Sequence, residues 1–237
     1  MKARPDGNAV RQMFAEIAPQ YDFLNHLLSV SIDRSWRKVA VARAAACLKG
    51  KTDPVCLDLC SGTGDLAIAL NRGLNVPVVA SDFCHPMLIR GLEKVRNERR
   101  GDFIPVIEAD SLVLPFADAT FDVATVAFGL RNLEDAEVGL SEMKRVLKPG
   151  GAAIVLEFSR PVIPIFRQLF EFYFHHILPH LGALISGQNS AYRYLPTSVR
   201  RFPAQAELAA MMQTIGFKDV GYRNLSGGIA ALHSGIK

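Results

Sequence analysis

Cysteine is scarce and poorly spaced for metal or redox work. The four in these 237 residues, Cys47, Cys56, Cys60 and Cys84, form no Cys-x-x-Cys pair and have no histidine at zinc spacing. A structural zinc site and a redox dithiol are therefore excluded, and no metal ligand set is expected. Reduced thiols suit a cytoplasmic protein, with Cys56, inside an apolar run, as a small buried hydrophobe. Charge of one sign is also missing. Lys and Arg number 27 against 23 Asp and Glu, a balance of +4 spread along the chain. A nucleic-acid surface clusters its Lys and Arg, so no nucleic-acid partner is expected; weak attraction to anionic lipid stays compatible. No apolar stretch of secretory type follows the charged Met1–Pro5, so no signal peptide is expected. A membrane span is excluded too. From Pro161 to Tyr194 the chain is aromatic and apolar, and it carries no formal charge between Glu171 and Arg193. Yet His175, His176, Pro179, His180, Gln188 and Asn189 leave no run of about 20 predominantly apolar residues. Internal repeats and low-complexity segments are absent as well.

What is present is ample apolar material, 49% of residues, and a length suited to one α/β domain with an extension. Residues 8–48 read helical: Val10, Met13, Phe14 and Ile17 recur at helical spacing up to Pro19, and a second helix runs from Trp36 to Leu48. Strands alternate with helices from Val55 to Ser159, with strands near 55–60, 77–82, 104–108, 121–127 and 152–158. Lys148-Pro149-Gly150-Gly151 reads as an architectural turn between a helix and the last of these strands. Such alternation predicts an α/β fold, a doubly wound and mainly parallel sheet. Leu208–Gly216, Val220–Leu225 and Ala230–His233 read as helix, strand, strand and should close it. The greasy 161–200 stretch reads as a helical lid over the sheet edge or as ordinary core helix; the lid would offer an apolar face to a substrate or membrane surface.

Within the first strand and turn, Val55-Cys56-Leu57-Asp58-Leu59-Cys60-Ser61-Gly62-Thr63-Gly64-Asp65 ends an apolar run in a tight Gly-x-Gly bend and enters a helix at once. Glycine permits the bend and lets a ligand approach the main chain. Asp82 of Ser81-Asp82-Phe83 follows about 20 residues on, at the end of the next strand, where a carboxylate reaches ribose hydroxyls. A nucleoside cofactor across these two strand ends is the expectation. The bend loosely fits the dinucleotide pattern, but a pyrophosphate on a helix N-terminus disfavours nearby acids. Asp58 and Asp65 flank this bend. They favour S-adenosylmethionine (SAM), which bears an ammonium and a sulfonium and no phosphate, over a dinucleotide. Each acid also has a structural reading, Asp58 as a loop anchor and Asp65 as a first-turn helix acid. Further on, Asp110 should end the third strand, where its acceptor suits an adenine amino group and the Ser111 N–H a ring nitrogen. As a turn acid it would instead hold its own loop.

Two long stretches resemble the C-methyltransferases of ubiquinone and menaquinone biosynthesis. Tyr21-Asp22-Phe23-Leu24-Asn25-His26-Leu27-Leu28-Ser29 with Trp36 is similar to that family's N-terminal signature. Arg145-Val146-Leu147-Lys148-Pro149-Gly150-Gly151 through Ser159 is similar to its later one. Phe128-Gly129-Leu130-Arg131-Asn132 and Tyr192-Arg193-Tyr194-Leu195 also match, so the likeness covers nearly the whole chain. There are two departures: Asp33 stands where the family usually has histidine, and Ser61 where its turn commonly begins with glycine. The resemblance implies a class I SAM-dependent methyltransferase, Rossmann-like, as one domain over 1–237: a helical cap (1–50), a SAM-binding core (51–160), a lid (161–200) and a sheet-closing part (201–237). It implies that Thr63, Asp82, Asp110 and Ser111 contact SAM and that Tyr21 covers it; the reading of the bend itself adds Asp58, Gly62 and Gly64 as cofactor-binding candidates, with Phe83 beside Asp82.

The implied reaction moves a methyl to a ring carbon of a polyprenylated hydroquinone. Such chemistry needs alignment, stabilisation of oxyanion character and a route for the ring proton. Arg131, after the fourth strand, is the candidate for the oxyanion; its bland alternative is a surface ion pair with Glu134 or Asp135. Asn132 could orient a hydroxyl or a water, and His26 could act as a base near neutrality. His175, His176 and Tyr192 are candidates to face substrate, with no choice among them. Peripheral contact with the inner face of a membrane and a homodimer are looser expectations. The competing functions are a non-catalytic SAM-binding subunit of a quinone-biosynthesis complex, a methyltransferase of the same fold acting on another small molecule, and a nicotinamide oxidoreductase.

Overall fold

A computed structural model describes residues 5–21, 32–162 and 190–237. The chain opens with α1 (Gly7–Ile17), whose first turn is capped by the Asp6 carboxylate, which accepts from the Asn8 and Ala9 N–H groups. Pro19 falls in a short 3-10 turn, Ala18–Gln20. Helix α2 (Asp33–Leu48) then leads to β1 (Cys56–Leu59), α3 (Asp65–Leu74), β2 (Val78–Asp82), α4 (His85–Asn97), β3 (Val106–Glu108) and β4 (Phe121–Ala127). After a 3-10 turn at Leu130–Asn132 come α5 (Ala136–Val146), β5 (Leu147–Phe158), α6 (Ser190–Arg201), α7 (Gln205–Ile215), β6 (Lys218–Leu225) and β7 (Ala230–Ile236). His26, His175 and His176 lie outside the described residues, as does most of the expected lid. Among the described residues no helix is long and apolar enough to cross a membrane.

The seven strands form one sheet in the order β3-β2-β1-β4-β5-β7-β6. The first five are parallel, and β7 runs antiparallel to both β5 and β6. Side chains alternate between two cores, as the period of a strand requires. Cys56, Val123, Ile154 and Leu156 pack on one face with α2 and α3. Leu57, Leu59, Ala124, Val126 and Val155 pack on the other with α5 and α7. The expected doubly wound sheet is therefore present.

One boundary differs. β5 begins at Leu147, and Lys148-Pro149-Gly150-Gly151 lies within it instead of separating helix from strand. The expected turn survives as an irregularity: Leu147 faces Phe121 but Ala152 faces Val123, and Gly150 has φ +73°. Pairing with the far end of the chain holds it in the sheet, through Gly150 N–H to the Lys237 carbonyl and Lys237 N–H to the Gly151 carbonyl.

Winding reverses between β2 and β4, the neighbours of β1. In open α/β sheets ligands collect in the crevice outside the carboxyl ends of the strands at such a reversal.

Candidate active site

The bend after β1 is tight because Gly62 and Gly64 adopt φ +56° and +80°, which an L side chain tolerates poorly. Gly64 N–H closes the bend on the Ser61 carbonyl, and Ser61 N–H reaches the Ser81 carbonyl at the end of β2. Asp82 completes the link: its Oδ2 accepts from Gly62 N–H at 2.8 Å and its Oδ1 from Cys84 N–H at 2.8 Å. Burial pushes its pKa up even so, with the Cys84, Gly62 and Phe83 N–H groups pulling the other way. A carboxylate has about four acceptor positions, so Asp82 both ties the bend to β2 and keeps capacity for a ligand hydroxyl.

The other two acids depart from expectation. Asp58 is 1% exposed, in the middle of the sheet and bonded to the Thr125 hydroxyl at 2.7 Å. Burial, opposed by the Thr125 hydroxyl and Ala67 N–H, pushes its pKa up to about 7. Asp65 pairs with Lys94 and, at 3.3 Å, with Arg37; Arg37 in turn holds Asp33 at 2.6 Å. Of the acids flanking the bend, one is buried with its pKa raised and the other is already paired, so the charge argument against a dinucleotide loses its footing. Lys94 also donates to the Thr63 hydroxyl at 3.0 Å, and Thr63 is buried behind the bend.

Two adjoining hollows occupy the crevice. A narrow one is lined by Tyr21, Cys60, Gly62, Asp82, Phe83, Phe128 and Asn132. A wider one of about 370 Å³ continues past Phe83 to Ala109, Asp110, Ser111 and the start of α1. Phe83, Asn132 and Leu133 line both. Asp110 is exposed and its Oδ1 accepts from Leu112 N–H at 2.9 Å, so it serves its own turn and faces the cleft as well. Ser111 is buried, its hydroxyl 3.4 Å from Cys60 Sγ. Tyr21 meets Phe14 edge-on and closes one side. Helix α1 is pinned over the wider hollow by Arg11 to Glu108 at 2.9 Å and by Gly7 N–H to Glu134 at 2.8 Å. Local patterns carried no sign of these two cross-links, which join residues 97 and 127 positions apart.

Arg131 is not a surface residue. Its guanidinium bonds Glu157 Oε1 at 2.6 Å and the Phe128 carbonyl, with side chains 7% and 1% exposed for Arg131 and Glu157. It also lies 5.1 Å over the Phe158 ring, and its Nε–H has no partner. The alternative pairing with Glu134 or Asp135 is thereby corrected: the partner is Glu157, across the sheet edge. Burial raises the pKa of Glu157, opposed by Arg131. Asn132 donates to the Phe128 carbonyl at 3.2 Å and accepts the Tyr194 hydroxyl at 3.1 Å. Glu157 and Tyr194 went unnamed as site residues in the sequence, although both stand inside the family-like stretches. Trp36 packs against Phe128 and Phe158 behind this cluster.

The ubiE/COQ5 methyltransferase family model matches residues 2–237. The chain belongs to that family. Curated relatives agree along nearly the whole length. A demethylmenaquinone methyltransferase of Thermus thermophilus is 48% identical over 94% of this chain and 99% of its own. A namesake in Deinococcus radiodurans is 46% identical, covering 98% and 93%. The ubiquinone/menaquinone biosynthesis C-methyltransferase UbiE of Geobacter sulfurreducens is 44% identical, covering 98% and 89%. Among solved structures, a SAM-dependent methyltransferase of Aquifex aeolicus superposes with TM-score 0.60 at 18% identity, over 83% of this chain and 88% of that one. The [4+2]-cyclase SpnF superposes with TM-score 0.69 at 17% identity, over 96% and 78%. A cyclase on this backbone shows that the fold alone does not set the reaction.

Membership of this family, with neighbours of the same fold, implies use of SAM. The crevice fits such a ligand. Gly62 and Asp82 line its narrow part, which sets a bend open to close approach beside a carboxylate whose two hydrogen bonds leave acceptor capacity. The wider hollow also falls within the size range of small-molecule sites, about 300–1,000 Å³.

Proposed function

We propose that this chain is a SAM-dependent C-methyltransferase acting on the ring of a polyprenylated hydroquinone, demethylmenaquinol or the benzoquinol precursor of ubiquinone. The observation that carries it is full-length likeness to relatives bearing those names, together with a buried guanidinium at the carboxyl edge of β4. Bound SAM supplies an electrophilic methyl on a sulfonium. Gly62 and Gly64 give it access to the main chain, Asp82 takes ribose hydroxyls, and Phe83, Asp110 and Ser111 receive the adenine. Thr63 and Asp58 support the bend from behind, and Tyr21 covers it. Helix α1 covers the wider hollow.

On the acceptor side, the ring carbon gains nucleophilicity as its neighbouring hydroxyl gives up its proton. Arg131 stabilises that oxygen, and Glu157 holds the guanidinium in place. The new carbon–carbon bond forms as the methyl–sulfur bond breaks and its electron pair stays on sulfur, leaving a neutral thioether. The same ring carbon then loses its proton to water, and the electrons of that bond restore the aromatic ring. Asn132 and the Tyr194 hydroxyl orient the groups around it. A preorganised donor in a dry site contributes about 3–4 kcal/mol to such a step.

The test is transfer of labelled methyl from SAM to reduced demethylated naphthoquinol and benzoquinol. Label on the ring carbon is expected; correctly folded, SAM-binding protein that labels neither quinol would reject the assignment. A non-catalytic SAM-binding subunit predicts that outcome.

A further inference from the structure

A second cleft of about 370 Å³ adjoins the cofactor crevice, and Leu133 and Glu134 line both. Arg131, Arg201, Ser198 and Tyr194 line it together with the apolar Leu130, Leu133, Ala136, Phe202, Pro203 and Met211. Glu134, Asp135 and Glu137 also line it. Asp135 is occupied in capping α5, accepting from the Glu137 and Val138 N–H groups. Glu134 accepts from Gly7 N–H, and Glu134 and Glu137 are exposed at the rim. The lining therefore offers hydroxyls and guanidinium groups beside an aliphatic and aromatic trough. A sugar or nucleotide would leave the trough unused, whereas a phenolic ring carrying a hydrocarbon chain would use both.

We infer that this cleft is the acceptor subsite: the Tyr194 hydroxyl, held by Asn132 Oδ1 at 3.1 Å, meets the acceptor's ring oxygen, and the acceptor's hydrocarbon chain lies against Leu133, Ala136, Phe202 and Met211. This rests on the proposed function and adds where the chain goes. Entry beside Arg131 places the ring next to Asn132, which lines the cofactor crevice.

The experiment compares reduced quinol acceptors with no side chain, one isoprene unit and two, all short enough to stay in solution. Each methylene buried in the trough is worth up to about fourfold in affinity. The wild-type KM should fall at least about tenfold from the chainless acceptor to the one-unit acceptor. Filling the trough with Met211→Trp or, from another wall, Ala136→Phe should reduce that preference below about threefold. Both variants should keep SAM affinity by calorimetry. Tyr194→Phe should keep the chain preference and lower kcat/KM about tenfold on all three. A filled variant that binds SAM yet retains the full preference overturns the inference and leaves the proposed function standing. Wild-type protein that binds SAM but methylates no quinol overturns the proposed function instead. Should either variant fail to fold, a photoreactive group at the chain end of a wild-type substrate decides. Labelling of Phe202 or Met211 supports the trough, and labelling elsewhere refutes it.

Discussion

Removing Arg131 separates two roles that one side chain could play. The Arg131–Glu157 pair is almost wholly buried: the guanidinium donates to Glu157 Oε1 at 2.6 Å, and the Arg131 backbone N–H donates to its Oε2 at 3.2 Å. Deleting one partner of such a pair leaves the other charge buried and costs about 3–5 kcal/mol. For a domain of this size that is a fall in Tm of about 6–20 °C. Replacing both partners by apolar residues of similar volume is often neutral in stability. So Arg131→Met should unfold well below wild type, Glu157→Leu likewise, and the double variant should recover most of the loss. Activity should not follow stability. If the guanidinium stabilises the acceptor's oxygen, the double variant stays down about 100- to 1,000-fold in kcat, the value of one oxyanion donor, with SAM affinity unchanged. Thermal melts, calorimetry with SAM and initial rates on reduced quinol read the three quantities separately. A stable double variant with wild-type kcat would show that Arg131 only braces the fold.

Asp58→Asn removes the carboxyl that burial holds near pKa 7. Because its folded value lies above the ordinary 3.8, folding binds an extra proton between these values and stability falls as pH rises from about 4 to 7. The loss is at most about 4 kcal/mol at and above pH 8, so the variant should flatten the wild-type decline in Tm over that window; an equal slope would refute the assignment. Gly64→Ala forces a side chain into φ +80° and should cost about 1–2 kcal/mol and weaken SAM by tenfold or more in calorimetry. Asp82→Asn can offer a single acceptor oxygen where two now meet Gly62 and Cys84 N–H groups. It should lower both Tm and SAM affinity, whereas an unchanged affinity would remove Asp82 from the ligand's contacts.

Much of this architecture could be read directly. Buried parallel strands appear as short apolar runs, and Cys56–Leu59, Val78–Asp82 and Phe121–Ala127 fall within a residue of their expected limits. The start of β5 was not legible, because its glycine turn is drawn into the sheet by Lys237, a partner at the far end of the chain. Placement of acids was legible only as position along the chain. Asp58 lies between Leu57 and Leu59 in an all-buried strand, so its apolar neighbours carried the sign of burial that a charge argument overlooked. Partners that neutralise Asp65 and anchor Arg131 come from other strands and helices, 28, 29 and 26 residues away. No local spacing records them. Tyr194 is 62 residues from Asn132, and only the folded chain brings them together.

The most direct measurement is a single-turnover reaction of the purified protein with methyl-labelled SAM and reduced demethylmenaquinol, analysed by mass spectrometry of the ring. One added labelled methyl on carbon, formed about 100- to 1,000-fold more slowly when Arg131 and Glu157 are both replaced, is the predicted result. Label left on SAM, or found on an oxygen of the quinol, would contradict the account.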